Sequence, residues 1–490
     1  MNIFASPPQG QYTPEQVFRL ALEHAESGRL AQAEQLLRRV LAVAPGNPVV
    51  FEALASVLQG LGRLSEALAM IRGALAIRPD SPSAHNTHAL ILLAEGERRA
   101  ALAAFEQALR LAPDYFEALV NRANLLSDLH RFEEALAALD LAIRQQPALA
   151  LLHNNRALVL QDMRRFDEAL AAYGEARRLA PEFAEARWNE ARCRLLMGDF
   201  LEGWRLHEAR WQVDGFAAAR NFSQPLWLGD TDLAGKTILL HGEQGFGDSL
   251  QFARYVPLVA ARGARVLLEV RKGLRSLLES VAGVAEVIDA GDPLPAFDCH
   301  CPLMTLPLAF DTCLESIPAE VPYLGVSAER SLCWREHLAH LPQGLKIGVA
   351  WAGNPAHRND FNRSMPLASL EPLLRSGASF VSLQKVLTEA ERGLLVKFGV
   401  ADFSAEINDF LDTAALIEQL DLVISVDSAA AHLAGALGKP LWLALPFVGE
   451  WRWLLDRADS PWYPTARLFR QRSPGDWQGL VAQMRQALPA

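Results

Sequence analysis

Two consecutive stretches decide the fold: DYFEALVNRANLLSDLHRFEEALAALDLAIRQQP at residues 114–147 and ALALLHNNRALVLQDMRRFDEALAAYGEARRLAP at residues 148–181. Laid one over the other they agree in register, and working outward the same register holds. Prolines fall at Pro45, Pro79, Pro113, Pro147 and Pro181, each 34 residues after the one before and each closing a helical stretch. A fixed period of this size marks a repeat architecture in which each unit is one supersecondary element. Ala55, Ala89, Ala123, Ala157 and Ala191 recur in the first half of successive units, and Ala33, Ala67, Ala101, Ala135 and Ala169 in the second. Such small residues let paired helices approach closely. A large side chain follows each second-half alanine by four residues (Leu37, Ile71, Phe105, Leu139, Tyr173), which is the spacing of one helix face and is expected to be core. Gly28, Gly62, Gly96 and Gly198 mark the turn between the helices, with His130 and Arg164 in that place in two units.

This pattern closely resembles the tetratricopeptide repeat over about residues 14–211, with five full units and a sixth that drifts. The sixth keeps Ala191, Gly198 and Phe200, has Gly203 where the second-half alanine should stand, and ends in GWRLHEARW. Terminal repeats cap a stack or dock on a neighbour, and docking is expected here. The resemblance implies a concave groove, lined by the first helix of each unit, that holds peptides or partner proteins. Asn121, Asn155 and Asn189 share one first-helix position and would form a ladder along that groove, each amide offering donors and an acceptor to an extended backbone. Asparagine is also common at this repeat position, so both readings stay open.

The whole chain has 490 residues, enough for about three folding units, and its half-apolar, one-fifth-charged composition is that of a folded globular protein. A net charge of −10 without a basic run argues against general affinity for nucleic acid. The opening MNIFASPPQGQYTPEQ does not read as a secretory signal, and no apolar run reaches the ~18 residues of a bilayer span, so a cytoplasmic protein without a membrane span is expected. Five cysteines, an odd number, fit reduced thiols better than a disulfide framework. Cys299-His300-Cys301 with Cys313 matches no usual zinc spacing, and no metal site is expected.

Residues 1–13 read as a tail and 212–235, with Gly215, Pro225 and Gly229, as a connector. Beyond it strand-like and helical runs alternate: KTILLH, a helix over 249–261, ARVLLEV, a helix near 274–280, and EVIDA; then LKIGVAW, SFVSLQK, a helix Glu389–Phe398, DLVISVD, a helix over 429–437, and PLWLALP. This is a parallel α/β pattern in two Rossmann-like halves, 236–335 and 336–490, separated near residues 322–342. The cleft between them is the natural ligand site.

The first half opens with HGEQGFGDS, where Gly242, Gly245 and Gly247 follow a strand and precede a helix. Glycine there lets backbone amides approach a ligand, and a helix start favours negative charge. The spacing is not GxGxxG, and Glu269 is the sole candidate for a ribose-binding acid, which weighs against a nicotinamide or flavin oxidoreductase. Asp248 at the helix start is either a cap or a general base aimed into the cleft. In VISVDSAAAHLAGALGKP, a strand ends at Asp427 and a helix of small residues follows. Pyrophosphate could rest on the amides of Ser428, Ala429 and Ala430 while His432 donates to a phosphate or ribose oxygen; the bland alternative is an ordinary helix cap with a surface histidine. Trp451, Trp453, Trp462 and Tyr463 either stack on a sugar or base or pack within their own half, packing being favoured for Trp453.

The order of the GxGD-S loop, WAGNP and DSAAAHLAGALGKP resembles the heptosyltransferase family over about residues 236–475. The resemblance implies the GT-B architecture, Asp248 as the catalytic aspartate, and Asp427, Ser428, Ala429 and His432, with Gly245, Gly247 and Asn354 of WAGNP, as the donor-binding set. WAGNPAHRNDFNRSMPL departs from the family's basic stretch, but Arg358, Arg363 and Lys385 are candidates for meeting a diphosphate. A repeat array joined to such a domain also resembles the protein O-GlcNAc transferases, in which the solenoid presents polypeptide. The expectation is therefore an α-solenoid followed by a GT-B-like α/β domain: a metal-independent inverting glycosyltransferase using a nucleotide-sugar as substrate, without a further cofactor, on an acceptor, most simply a protein, recruited by the repeats. An inactive scaffold that binds partners and a nucleotide, and a transferase acting on a glycan, are the alternatives.

Overall fold

The computed structural model describes residues 13–216, 220–355, 357 and 359–489, so Arg358 and most of the tail lie outside the described residues. Contacts divide the chain into two compact units, Met1–Ala180 and Pro181–Ala490. The first is a tetratricopeptide solenoid of five helical hairpins: Pro14–Glu26 with Leu30–Val43, Pro48–Gly60 with Leu64–Ile77, Pro82–Ala94 with Arg98–Leu111, Phe116–Asp128 with Phe132–Gln145, and Ala150–Asp162 with Phe166–Leu179. Thr13, Asn47 and Ser81 cap the first three leading helices through side-chain oxygens, with proline in the first turn, where its missing N–H costs nothing. The residue before each repeat proline closes the second helix, because proline disfavours the α conformation of its predecessor. Every register alanine of these five units and every large residue four places after the second is fully buried. The turn glycines Gly28, Gly62 and Gly96 have φ of 73°, 74° and 85°, and His130 and Arg164 hold the same left-handed backbone at 57° and 61°.

The second unit starts with the sixth hairpin, Ala184–Met197 and Phe200–His207, followed by a 3₁₀ turn Glu208–Gln212. Gly203 replaces alanine because a Cβ there would meet the Leu195 side chain at 2.7 Å. The expected docking is observed: Trp204 packs edge-on to Trp451 at 5.1 Å and Phe200 lies 6.2 Å from Trp462.

Two parallel sheets follow. Strands β1 Thr237–His241, β2 Arg265–Val270, β3 Val284–Asp289 and β4 Cys299–Pro302 form one sheet in the order β3-β2-β1-β4. Strands β5 Lys346–Ala350, β6 Ser379–Ser382, β7 Ala401–Asp402, β8 Leu422–Val426, β9 Leu441–Leu445 and β10 Ala466–Arg470 form the other, in the order β10-β9-β8-β5-β6-β7. The buried runs ILL, VLLEV, IGVA and LVISV are apolar on both faces except at Glu269 and Ser425, as strands of a covered parallel sheet require. The last helix, Trp477–Ala487, adds Trp477, Leu480, Val481 and Met484 to the core of the second sheet.

One reading needs correcting, and two elements went unread. The helix expected over 249–261 is broken into Phe246–Phe252, a 3₁₀ turn Ala253–Tyr255 and Val256–Ala260, with Pro257 in the first turn of the last piece, where proline is tolerated. Cys299-His300-Cys301 is the edge strand β4, too short and too polar to be read from alternation, with Cys299 and Cys301 buried. The segment separating the halves contains a helix, Ala328–His337, anchored by Trp334. Among the described residues no helix is long and apolar enough to cross a membrane.

Candidate functional site

In the first sheet the chain order reverses between β1 and β4, and in the second between β5 and β8. Open parallel sheets bind ligands outside the carboxyl ends of the strands at such reversals. The three sequence motifs sit at these ends: the glycine loop 242–248 after β1, WAGNP after β5, and Asp427-Ser428 after β8.

The glycines serve packing rather than an unusual backbone, since Gly245 has φ −71°. A Cβ on Gly247 would lie 2.8 Å from Cδ2 of His432, and one on Gly242 3.0 Å from Oγ of Ser249. The loop and the DSAAAH turn are thus in direct contact, and the close approach expected for a ligand is made here by a side chain of the other half.

Asp248 lies in the first turn of the helix Phe246–Phe252. Its Oδ2 accepts from the amide of Gly245 at 2.9 Å and its Oδ1 accepts from Nη2 of Arg452. Asp248 thus holds the helix start from the third position of its first turn rather than as the first cap, and its second oxygen is taken by Arg452. Arg452 is 7% exposed; it donates through Nε to Gln251 at 2.6 Å and through Nη1 to Glu450 at 2.8 Å, and lies 4.2 Å over the Trp451 ring. Burial works against its charge, and Asp248, Glu450 and Asp427 more than offset this and raise its pKa.

Asp427 is buried; desolvation, with Glu450 beside it, raises its carboxyl to about 6 against the pull of Arg452 and Arg363. Burial first, then Arg452, Arg254 and Arg363, push His432 well below the usual histidine range, so it is neutral at pH 7. Its Nδ1 is 2.9 Å from the Tyr463 hydroxyl, its Nε2 is 3.7 Å from Asp427 Oδ1, and its ring stacks on Trp453. His432 is therefore an inward-facing residue in this conformation, not the surface histidine of the bland reading. The small residues of the helix Ala429–Ala436 serve the same packing: Gly435 lies against the Tyr463 ring. Ser428 precedes that helix with its hydroxyl 2.9 Å from that of Ser425, and the amides of Ala429 and Ala430 lie in the first turn, which has no intrahelical acceptors.

Other candidates separate. The Arg363 guanidinium lies against Gly353 of WAGNP and donates to Asp360, close enough to act on Asp427 and His432. Asn354 is exposed at the start of the same loop. Lys385 instead donates to the carbonyls of Ser404 and Ile407 at 2.7 and 2.6 Å and acts as a loop clamp. Glu269 is ion-paired with Arg220. All four aromatics of the 451–463 stretch are buried, so packing is their observed role. Asn121 and Asn155 are half-buried on leading helices of the first unit and donate to Asn86 and Asn124 at 3.1 and 3.2 Å; Asn189, also half-buried, lies on the leading helix of the sixth hairpin.

Sequence reasoning missed three buried groups. Arg452 stands between two tryptophans, and a cation enclosed in WRW was itself a signal that could have found it. Arg254 donates to the carbonyls of Gln251, Trp462 and Pro318 and to the Tyr323 hydroxyl, with the Tyr463 ring 4.6 Å away. Arg210, fully buried at the end of the sixth hairpin, binds Glu243 of the glycine loop, Glu208 and Thr305. Beside the motifs, at the carboxyl ends of β2 and β3, a groove of about 440 Å³ is lined by Gly273, Arg275, Ser276, Glu279 and Asp289 of the first half and Asp409 of the second.

Residues 24–91, and 86–150 with 154–202, match two models described as tetratricopeptide repeat. Residues 408–444, which run from the start of the helix Phe410–Glu418 through β8 and DSAAAH into β9, match the model of glycosyltransferase family 9 (heptosyltransferase). Protein FlbA of Caulobacter vibrioides is 28% identical over 338 residues, 63% of this chain and 55% of that protein. The chain thus spans about half the length of this curated relative. Among solved structures, a thermophilic TPR protein of Thermus thermophilus is 24% identical over 37% of this chain and 100% of its own, with a TM-score of 0.34. YrrB, described as a TPR protein with an unusual peptide-binding site, is 17% identical over 36% of this chain and 92% of its own, with a TM-score of 0.31.

Proposed function

We propose that the second unit is a glycosyltransferase that moves a sugar from a nucleotide-activated donor to an acceptor recruited by the tetratricopeptide array, and that the acceptor is a protein. One observation carries this reading: at the strand ends where such folds bind ligands, Asp248 of the first half is bonded to the buried Arg452 of the second, whose charge also acts on the buried Asp427 and His432. The family 9 match over the DSAAAH turn supports it. In the proposed reaction the acceptor hydroxyl oxygen attacks the anomeric carbon, the bond from that carbon to the phosphate oxygen breaks with its electrons going to the departing nucleoside diphosphate, and Asp248 takes the hydroxyl proton. Attack opposite the leaving group inverts the anomeric centre. The amides of Ser428, Ala429 and Ala430, with Arg452 and Arg363, balance the charge of the diphosphate, a scheme that needs no metal.

Turnover of a panel of nucleotide-sugars by the purified chain, beside Asp248→Ala and His432→Ala, tests the reading. Loss of turnover in Asp248→Ala is the expected outcome, and a wild-type chain that neither hydrolyses nor transfers any donor overturns it. The contact of Gly247 with His432 favours a second reading, a scaffold whose transferase-like half is closed to donors. On that reading Gly247→Ala leaves ligand binding untouched, because none exists. Mass spectrometry of captured partners separates acceptors: a hexose- or heptose-sized addition on a polypeptide supports the protein acceptor, whereas additions confined to glycans transfer the reading to them.

A further inference from the structure

At the motifs the buried Arg452 of the second half reaches across to the first, and its partners are unusual. Arg452 spends its guanidinium on Asp248, Gln251 and Glu450, and these bonds cross from the second half to the helix start of the first. Its charge also acts on Asp427 and on His432. Arg452 therefore touches or electrostatically reaches the glycine-loop aspartate and both residues of the DSAAAH turn. A guanidinium binds carboxylate and phosphate in the same forked geometry, so the Asp248 carboxylate occupies on Arg452 the kind of place a phosphate would take.

The environment favours such an exchange. Arg254 and Arg363 add positive charge close to His432, and Arg254 is bonded to carbonyls and a hydroxyl rather than to a carboxylate in the contacts it makes. A pyrophosphate group carries more charge than one carboxylate and would gain from all three arginines, whereas Asp248 is held by Arg452 and by the Gly245 amide.

We propose that Asp248 and the donor diphosphate compete for Arg452: the arginine bonds the aspartate as described, and a diphosphate that enters takes Arg452 and releases Asp248 toward the acceptor. Arg452 is then a ligand of the departing group and also the positioning residue for the base. A donor must thus be present before the base is free, which limits idle proton abstraction. The proposal rests on the reading that a nucleotide-activated sugar binds here.

The experiment is a double-mutant cycle on diphosphate affinity, measured by calorimetry on the full chain with uridine, guanosine, adenosine and cytidine diphosphates. Loss of a charge-assisted bond makes Arg452→Gln bind the preferred diphosphate about 10- to 100-fold more weakly, while Asp248→Asn, which removes the competitor, binds it several-fold more tightly. A gain in affinity cannot come from misfolding. The double variant should match Arg452→Gln alone, because without the arginine there is nothing to compete for. If Asp248→Asn tightens binding equally with and without Arg452, the effect is general charge and the exchange is wrong. If Asp248→Asn leaves affinity unchanged or weaker while wild type binds, the inference falls and the donor reading stands. If wild type binds none of the four, the donor reading itself falls and this inference with it.

Discussion

At the scale of the residue, the second unit holds charged and titratable groups where water is excluded, and their partners decide what each can do. Arg210 is fully buried and Glu243 nearly so; burial raises the Glu243 carboxyl to about 7 even with Arg210 bonded to it. A buried pair adds little net stability, but removing one member strands the other. Arg210→Leu should therefore destabilise the second unit by about 3–5 kcal/mol in chemical denaturation, and Glu243→Gln added to it should restore part of that loss. Restoration fails to appear if Arg210 matters only through its carbon stem. His241 gives a pH test. Burial, then His300, Arg220 and Arg210, lower its pKa from 6.5 to about 3, so the folded chain refuses a proton that the unfolded chain accepts. The stability tied to neutral His241 is complete above about pH 6.5 and is lost as the pH falls toward 3. Between pH 7 and pH 5 the Tm of His241→Gln should gain on that of wild type; a constant gap would show that the ring is protonated without cost. Asp248, Asp427 and His432 were legible in the sequence because motif and strand end coincide there. Arg210 and Arg254 were not, because nothing local distinguishes a buried arginine from a solvated one and only the fold brings their carboxylates and carbonyls around them; Arg452 carried a local signal in its two flanking tryptophans.

At the scale of the element, the 34-residue period was fully readable, since each helix pair is stabilised by contacts within about one repeat, and alanine register and proline position report those contacts directly. What resisted reading depends on distant partners: β4 is a strand because β1 lies beside it, whereas the break before Pro257 had its local signal in the proline itself. The turn position shows how a local rule is violated and still tolerated. His130 and Arg164 hold left-handed backbone that costs a non-glycine residue about 1–2 kcal/mol, partly offset by the lower chain entropy of a non-glycine residue in the unfolded state. Glycine at either place should stabilise the first unit by about 0.5–1 kcal/mol in thermal unfolding. The gain should be smaller at His130, whose ring also meets Phe132 edge-on at 5.7 Å. A loss at both positions would mean the side chains contribute more than the backbone strain removes.

At the scale of the whole molecule, the repeat boundary and the folding boundary do not coincide. By sequence the sixth hairpin belongs to the array; by contacts it belongs to the second unit, which begins at Pro181. Trp204 is buried against Phe252, Trp451 and His207; Phe200 lies against Trp462; and Arg210 closes on Glu243 and Thr305. Truncation to 181–490 removes five complete hairpins and leaves these contacts whole, so that fragment should unfold cooperatively with the Tm of the second unit in the full chain. On the proposed function it keeps diphosphate binding and loses transfer to protein. Truncation to 212–490 removes Phe200, Trp204 and Arg210 together, stranding Glu243 and opening an aromatic cavity. At roughly 3–5 kcal/mol for each large aromatic, before the buried charge is counted, the loss approaches the ~5–15 kcal/mol total stability of an ordinary domain. The shorter fragment should lack a cooperative transition and the longer one should show it. Equal stability of the two would mean that the sixth hairpin decorates the α/β body instead of completing its core.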